Sequence, residues 1–147
     1  MAKDVNAASI LLAVEDSDAD ARLIKESLKD GGIDCRLCVE EDGEKAMAFL
    51  RREGKYADAP RPDLIILDWN LPGKDGREVL AEVKADSDLR RIPIAILSSS
   101  AAEDDIHRTY DAGANCYVVK PIGLDEFVSK TQSLVRFWLD VVKRPES

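Results

Sequence analysis

The 147-residue chain is poor in the residues that build disulfide scaffolds or nitrogen–sulfur metal sites. It has one histidine, His107, and three cysteines, Cys35, Cys38 and Cys116. An odd cysteine count, with no apolar signal segment in Met1 to Ser9, speaks against a disulfide framework. Cys35 and Cys38 do form a Cys-x-x-Cys, the spacing of a redox pair or of half a zinc site. Redox use needs the pair at a helix N-terminus, where a thiolate is stabilised. Here the pair lies in Asp34 to Val39, which reads as a strand, so residues three apart point to opposite faces. Zinc needs four ligands, and only Cys116 and His107 remain to offer. Buried or half-buried strand cysteines are the expectation.

Long apolar runs are also missing. The longest, Leu64 to Leu67 and Ile92 to Leu97, fall far short of the ~20 residues that cross a bilayer. Positive charge is in deficit, with 21 Lys and Arg against 29 Asp and Glu, a net charge of −8. A phosphate backbone or an anionic membrane would repel such a surface. The expectation is a cytoplasmic protein with no nucleic-acid or membrane partner. Apolar residues make up 45% of the chain, enough for a core, so the body is not disordered. The length fits one domain, expected at 9–142, with tails at 1–8 and 143–147 and no output domain.

Short apolar runs alternate with amphipathic stretches. Strands are expected at Ser9 to Val14, Cys35 to Val39, Asp63 to Leu67, Ile92 to Leu97 and Asn115 to Val119. Helices are expected at Asp18 to Lys29, closed by Gly31 and Gly32, and at Glu44 to Arg52 and Asp75 to Asp86. A polar helix around Ile106 and Tyr110 should stop at Gly113, and a last helix should run from about Leu124 to Val142. The first, third and fourth strands are continuous apolar runs, the mark of a parallel sheet covered on both faces. Five βα units on one sheet give an α/β, doubly wound, three-layer sandwich.

In open parallel sheets ligands bind beyond the carboxyl ends of the strands. Those ends carry Glu15 and Asp16 after the first strand, Asp68 after the third, Ser98 after the fourth and Lys120 with Pro121 after the fifth. Singly, each has an ordinary use as a cap, a loop residue or a solvated charge. Together, three carboxylates at one edge repel unless they are protonated or bridged by a cation. Hard oxygen ligands next to solvent suit Mg²⁺, and the serine and lysine add two donors for an arriving anionic group. A divalent metal, a carboxylate nucleophile and a clamp for phosphoryl oxygens make a phosphoryl-transfer site with an aspartyl-phosphate product.

Four strings carry a resemblance: Val14 to Asp16, Leu67 to Gly76, Ile92 to Ser98 and Tyr117 to Pro121. The chain resembles a response-regulator receiver domain of two-component signalling over about Ser9 to Val142. The spacings from Asp16 to Asp68, on to Ser98 and on to Lys120 are 52, 30 and 22 residues. The resemblance implies a flavodoxin-like (βα)5 fold with five parallel strands. It implies Asp68 as the phosphoacceptor, taking its phosphoryl group from a sensor kinase's histidine. Glu15 and Asp16 would hold Mg²⁺ with Asp68 and the backbone carbonyl of Asn70. Lys120 would pair with a phosphoryl oxygen, across a Lys120–Pro121 bond that is commonly cis in the family. Ser98 would donate its hydroxyl and move inward, and Tyr117 would reorient after it. Such a protein is a signalling phosphoacceptor that catalyses only its own phosphorylation and dephosphorylation. Glu15, where the family often has Asp, keeps the charge on a longer arm, and Ser98 keeps the hydroxyl of a commoner Thr.

Gly54 to Pro60, Asp75 to Lys84 and Phe137 to Leu139 are most similar to response regulators that partner bacterial phytochromes. That resemblance implies a phytochrome-type kinase and a homodimer through the face of the fourth helix, fifth strand and fifth helix. Phe137, Trp138 and Leu139 are the candidate contact residues. A relay intermediate that passes phosphate onward remains an alternative, as does a degenerate receiver working only by contact. A dehalogenase-type phosphatase would want a second Asp where Asn70 stands. A flavin module would want a phosphate-cradling loop where Glu15 and Asp16 stand.

Overall fold

Residues that form unbroken apolar runs are the ones the sheet buries on both faces. Leu11 to Val14, Leu64, Ile65, Leu67 and Ile94 to Ile96 have no exposed surface in a computed structural model that describes residues 9–145. The strands are β1 (Ser9–Val14), β2 (Cys35–Glu40), β3 (Leu64–Asp68), β4 (Ile94–Ser98) and β5 (Cys116–Val119). They alternate with α1 (Asp18–Asp30), α2 (Gly43–Arg51), α3 (Gly76–Ala85), α4 (Glu103–Asp111) and α5 (Leu124–Arg136). All neighbouring strands are parallel, in the order β2-β1-β3-β4-β5. This is the expected doubly wound, flavodoxin-like sandwich. Expected boundaries hold to within two residues for the strands.

Alternation along each strand divides the core in two. Leu12, Val14, Ile65, Leu67, Ile94 and Ile96 pack with Ala46, Met47, Val79, Leu80 and Val83 from α2 and α3. Leu11, Ala13, Leu64, Ile66, Ala95 and Leu97 pack on the opposite side with Ile24 and Leu28 of α1 and Phe127 and Val135 of α5. Cys38 packs against the first group and Cys35 against the second, so the Cys-x-x-Cys straddles the sheet. All three thiols are free and half-buried, and burial pushes each above its usual range, Cys35 to about 11. That is the opposite of an activated thiolate.

Helix starts are set by side chains that satisfy the first free N–H groups. Ser17 Oγ accepts from the Asp20 N–H at 3.2 Å to open α1. Asp75 and Glu78 form a reciprocal capping box at the start of α3. Gly76, the first residue of α3, lies so close to the end of β3 that an added Cβ would sit 2.7 Å from the Asp68 carbonyl oxygen. Only glycine lets α3 begin directly behind the end of that strand.

The C-terminal helix departs from its expected form. The α-helix stops at Arg136 and is followed by one π turn, Phe137–Val141, closed by the Val142 N–H on the Phe137 carbonyl at 2.9 Å. The wider turn brings both Trp138 and Leu139 against the core, while Phe137 (49% exposed) and Val141 (72%) stay outside. Of the three candidate contact residues, Phe137 is exposed, and Trp138 and Leu139 are half-buried. Leu124, the first residue of α5, is exposed, and the fully buried Val135 packs further along. Of the expected tails, 1–8 and 146–147 lie outside the described residues. Among the described residues no helix is long and apolar enough to cross a membrane.

Candidate functional site

Parallel register brings the strand ends to one edge. Val14 lies opposite Leu67, Asp68 opposite Leu97, and Ser98 opposite Val119. The next residues, Glu15 and Lys120, therefore emerge around Asp68, and the Lys120 N–H donates to the Ser98 carbonyl at 2.7 Å. Carboxylate oxygens of Glu15, Asp16 and Asp68 all come within 4.8 Å of one another. Glu15 and Asp68 are buried, at 3% and 6% exposure, whereas Asp16 is exposed at the rim.

Among the described residues one ammonium faces this charge. Lys120 Nζ lies 2.9 Å from Glu15 Oε1, 3.3 Å from Asp68 Oδ2 and 2.8 Å from Asp20 Oδ2. Backbone donors hold the remaining oxygens: the Ser17 N–H donates to Glu15 Oε2 at 3.2 Å and the Asn70 N–H to Asp68 Oδ1 at 3.1 Å. Burial, then the neighbouring Asp68, push the Glu15 carboxyl up to about 8, against the opposing pull of Lys120. Burial alone would lower Lys120, but hydrogen bonds to Asp20 and Glu15 outweigh it and hold the ammonium above its ordinary range. The pocket is thus under-neutralised by its own residues, and burial biases Glu15 toward its protonated form until a further cation enters. Three clustered carboxylates open to solvent on one side fit a hard divalent cation that keeps part of its water shell.

Ser98 is fully buried, and its Oγ accepts from the Ser100 N–H at 3.2 Å. Tyr117 is half-buried against the α2–α3 side of the core, and its hydroxyl donates to the Ser100 carbonyl at 2.8 Å. Ser100 Oγ in turn donates to Asp105 of α4 at 2.6 Å. Ser98, Ser100, Tyr117 and α4 are therefore one connected unit beside Asp68.

Two readings of the sequence need revision. The Lys120–Pro121 bond is trans, as are all peptide bonds among the described residues. The trans form has an intrinsic advantage of about 0.5–1 kcal/mol before proline, and Lys120 reaches its three carboxylates without leaving it. Asp20 was not among the expected site residues, yet it makes the shortest of the lysine's contacts. A signal was available: Asp20 follows Asp16 by four residues, one turn into a helix that starts at this edge.

The family model described as response regulator receiver domain matches residues 11–132. The chain is 47% identical over 145 residues to the response regulator Rcp1 of Synechocystis sp., covering 99% of each chain. It superposes on the phosphorylated cyanobacterial phytochrome response regulator RcpA with a TM-score of 0.91 and 47% identity, covering 95% of this chain and 100% of that one. For the Mn²⁺-bound form of Rcp1 the TM-score is 0.88 and the identity 48%, with 94% and 99% covered.

Proposed function

This chain belongs to the response regulator receiver domain family of two-component signalling proteins, and we propose that Asp68 accepts a phosphoryl group from the histidine of a sensor kinase, with Mg²⁺ at the Glu15–Asp16–Asp68 cluster. The observation that carries this reading is the convergence on Asp68 of two further carboxylates and one ammonium, with the buried Ser98 at the same sheet edge.

In the transfer, a carboxylate oxygen of Asp68 forms the new P–O bond as the P–N bond to the donor imidazole breaks, and the imidazole takes a proton from solvent. A bound Mg²⁺ supplies neutralisation of charge on the transferring oxygens. Glu15 and Asp16 would hold that ion together with Asp68 and the Asn70 carbonyl. Lys120 binds a phosphoryl oxygen as a point charge, and Ser98 turns its hydroxyl from the Ser100 N–H toward another. Hydrolysis of the acyl phosphate by water restores the carboxylate, so the protein catalyses only its own phosphorylation and dephosphorylation.

Because Ser98 and Tyr117 both hold Ser100, movement of Ser98 loosens the Tyr117 hydroxyl from the Ser100 carbonyl and shifts the start of α4. The changed face of α4, β5 and α5 is the output, read as a protein contact. The same face pairs with a second copy of the chain through its exposed apolar residues Tyr110, Phe137 and Val141. The kinase is of the phytochrome type, supported by the similarity to Rcp1 and RcpA, and the protein acts in the cytoplasm through its receiver domain at 9–142.

The test is transfer from an autophosphorylated phytochrome-type histidine kinase of the same organism. Label should move to the wild-type chain within seconds to minutes and not to Asp68→Asn. Label retained on the kinase with the wild type, or moved to Asp68→Asn, would contradict the reading.

A further inference from the structure

We propose that Asp20 is a positioning residue for Lys120: it holds the ammonium at the rim of the pocket when a divalent cation occupies the carboxylates. The proposal rests on the reading of Glu15, Asp16 and Asp68 as the cation's ligands.

Lys120 is shared between two kinds of partner. Glu15 and Asp68 lie inside, with side chains 2% and 8% exposed, and Asp20 lies outside at 29%. Glu15 and Asp68 belong to the set of acids whose oxygens converge, and Asp20 does not. The ammonium thus sits between the cluster a cation would enter and an acid that stands apart from it. A cation at the cluster takes the lone pairs of Glu15 and Asp68 and repels the lysine. Without an outer partner the ammonium either stays and weakens the cation or swings into water, away from the arriving phosphoryl group. Asp20, already 2.8 Å away, receives it with no change of backbone.

The backbone of Asp20 is fixed for this purpose. Its N–H donates to Ser17 Oγ, and the Ser17 N–H donates to Glu15 Oε2, so the outer acid is indexed to the inner one through two hydrogen bonds. Lysine has a long flexible stem that makes such a pivot easy, and an exposed lysine would lose its geometry to rotamer freedom. Pinning by Asp20 keeps the ammonium within reach of a phosphoryl oxygen while leaving the cation site free.

The test is a double-mutant cycle on Mg²⁺ affinity. Wild type, Asp20→Asn, Lys120→Ala and the double variant are titrated with Mg²⁺, each in a Trp138→Phe background. Fluorescence of Trp69, buried beside Asp68, reports binding, and calorimetric titration of the same proteins gives the constants without a reporter. Asp20→Asn should raise the dissociation constant about tenfold when Lys120 is present, within the range of coupling seen for contacting charged pairs. In the Lys120→Ala background the same change should have less than about a twofold effect, because no ammonium needs holding. Asp20→Glu, which keeps the charge, should restore most of the loss. An equal or larger effect of Asp20→Asn in the Lys120→Ala background would overturn the proposal, since Asp20 would then act on the cation by its own charge. No effect in either background would overturn it as well. If the wild type shows no saturable Mg²⁺ binding by either method, the site reading itself fails, and this inference with it.

Discussion

Replacing Glu15 by glutamine should invert the ordinary relation between carboxylates and acid stability. The folded protein raises this carboxyl from 4.5 to about 8, chiefly by burial. A group bound more tightly to its proton in the folded state stabilises the fold below its unfolded pKa and loses that contribution as pH rises through the folded one. The metal-free wild type should therefore lose stability between pH 5 and pH 8. At roughly 1.4 kcal/mol per pH unit, the full span amounts to at most about 5 kcal/mol. Glutamine has the shape of the protonated acid and does not titrate, so Glu15→Gln should lack this slope. The stability difference between variant and wild type should grow in the variant's favour up to about pH 8 and level off above it. Urea denaturation in the presence of a chelator, from pH 5 to pH 9, measures it. Saturating Mg²⁺, whose ligands must be deprotonated, should reverse the trend and stabilise the wild type as pH rises. A metal-free wild type whose stability stays flat or rises relative to Glu15→Gln over this range would refute the account of the pocket as under-neutralised.

Gly76→Ala should destabilise the fold by about 1–3 kcal/mol, because the new Cβ meets the backbone of Asp68 and Trp69, which cannot yield cheaply. The denaturation midpoint should fall with an unchanged slope, and no loss of stability would contradict the close approach of α3 to β3. Phe137→Asp should leave stability within about 0.5 kcal/mol while shifting dimers to monomers in light scattering at micromolar concentration. Trp138→Ala, in contrast, should cost roughly 2 kcal/mol through lost packing against the core. A wild type that is monomeric at all concentrations would remove the proposed dimer.

The sandwich was legible because its signal is local and redundant. Val14, Leu67 and Leu97 end apolar runs that only a doubly covered parallel sheet can bury, and each run is followed by a polar residue that must lie at the binding edge. Glu15, Asp68, Ser98 and Lys120 therefore fall together at one edge on the order of the runs alone. Asp20 escaped because its contribution depends on where a helix face meets a lysine 100 residues away, and an acid in a first helical turn has an ordinary use there. The π turn escaped for a different reason. A hydrophobic pattern gives the direction of a face but not the hydrogen-bond register, so Trp138 and Leu139 could not be separated from Phe137 in advance. The trans Lys120–Pro121 bond turns on an intrinsic preference of under about 1 kcal/mol, too small to be read from the residues that flank it.

The central claim is that Asp68 takes the phosphoryl group. Incubation with acetyl phosphate and Mg²⁺, followed by intact-mass measurement of wild type and Asp68→Asn, tests it with no kinase involved. The wild type should gain a single phosphoryl adduct that is absent when Mg²⁺ is chelated, and Asp68→Asn should gain none. A wild type that remains unmodified, or an adduct that persists in Asp68→Asn, would contradict the account.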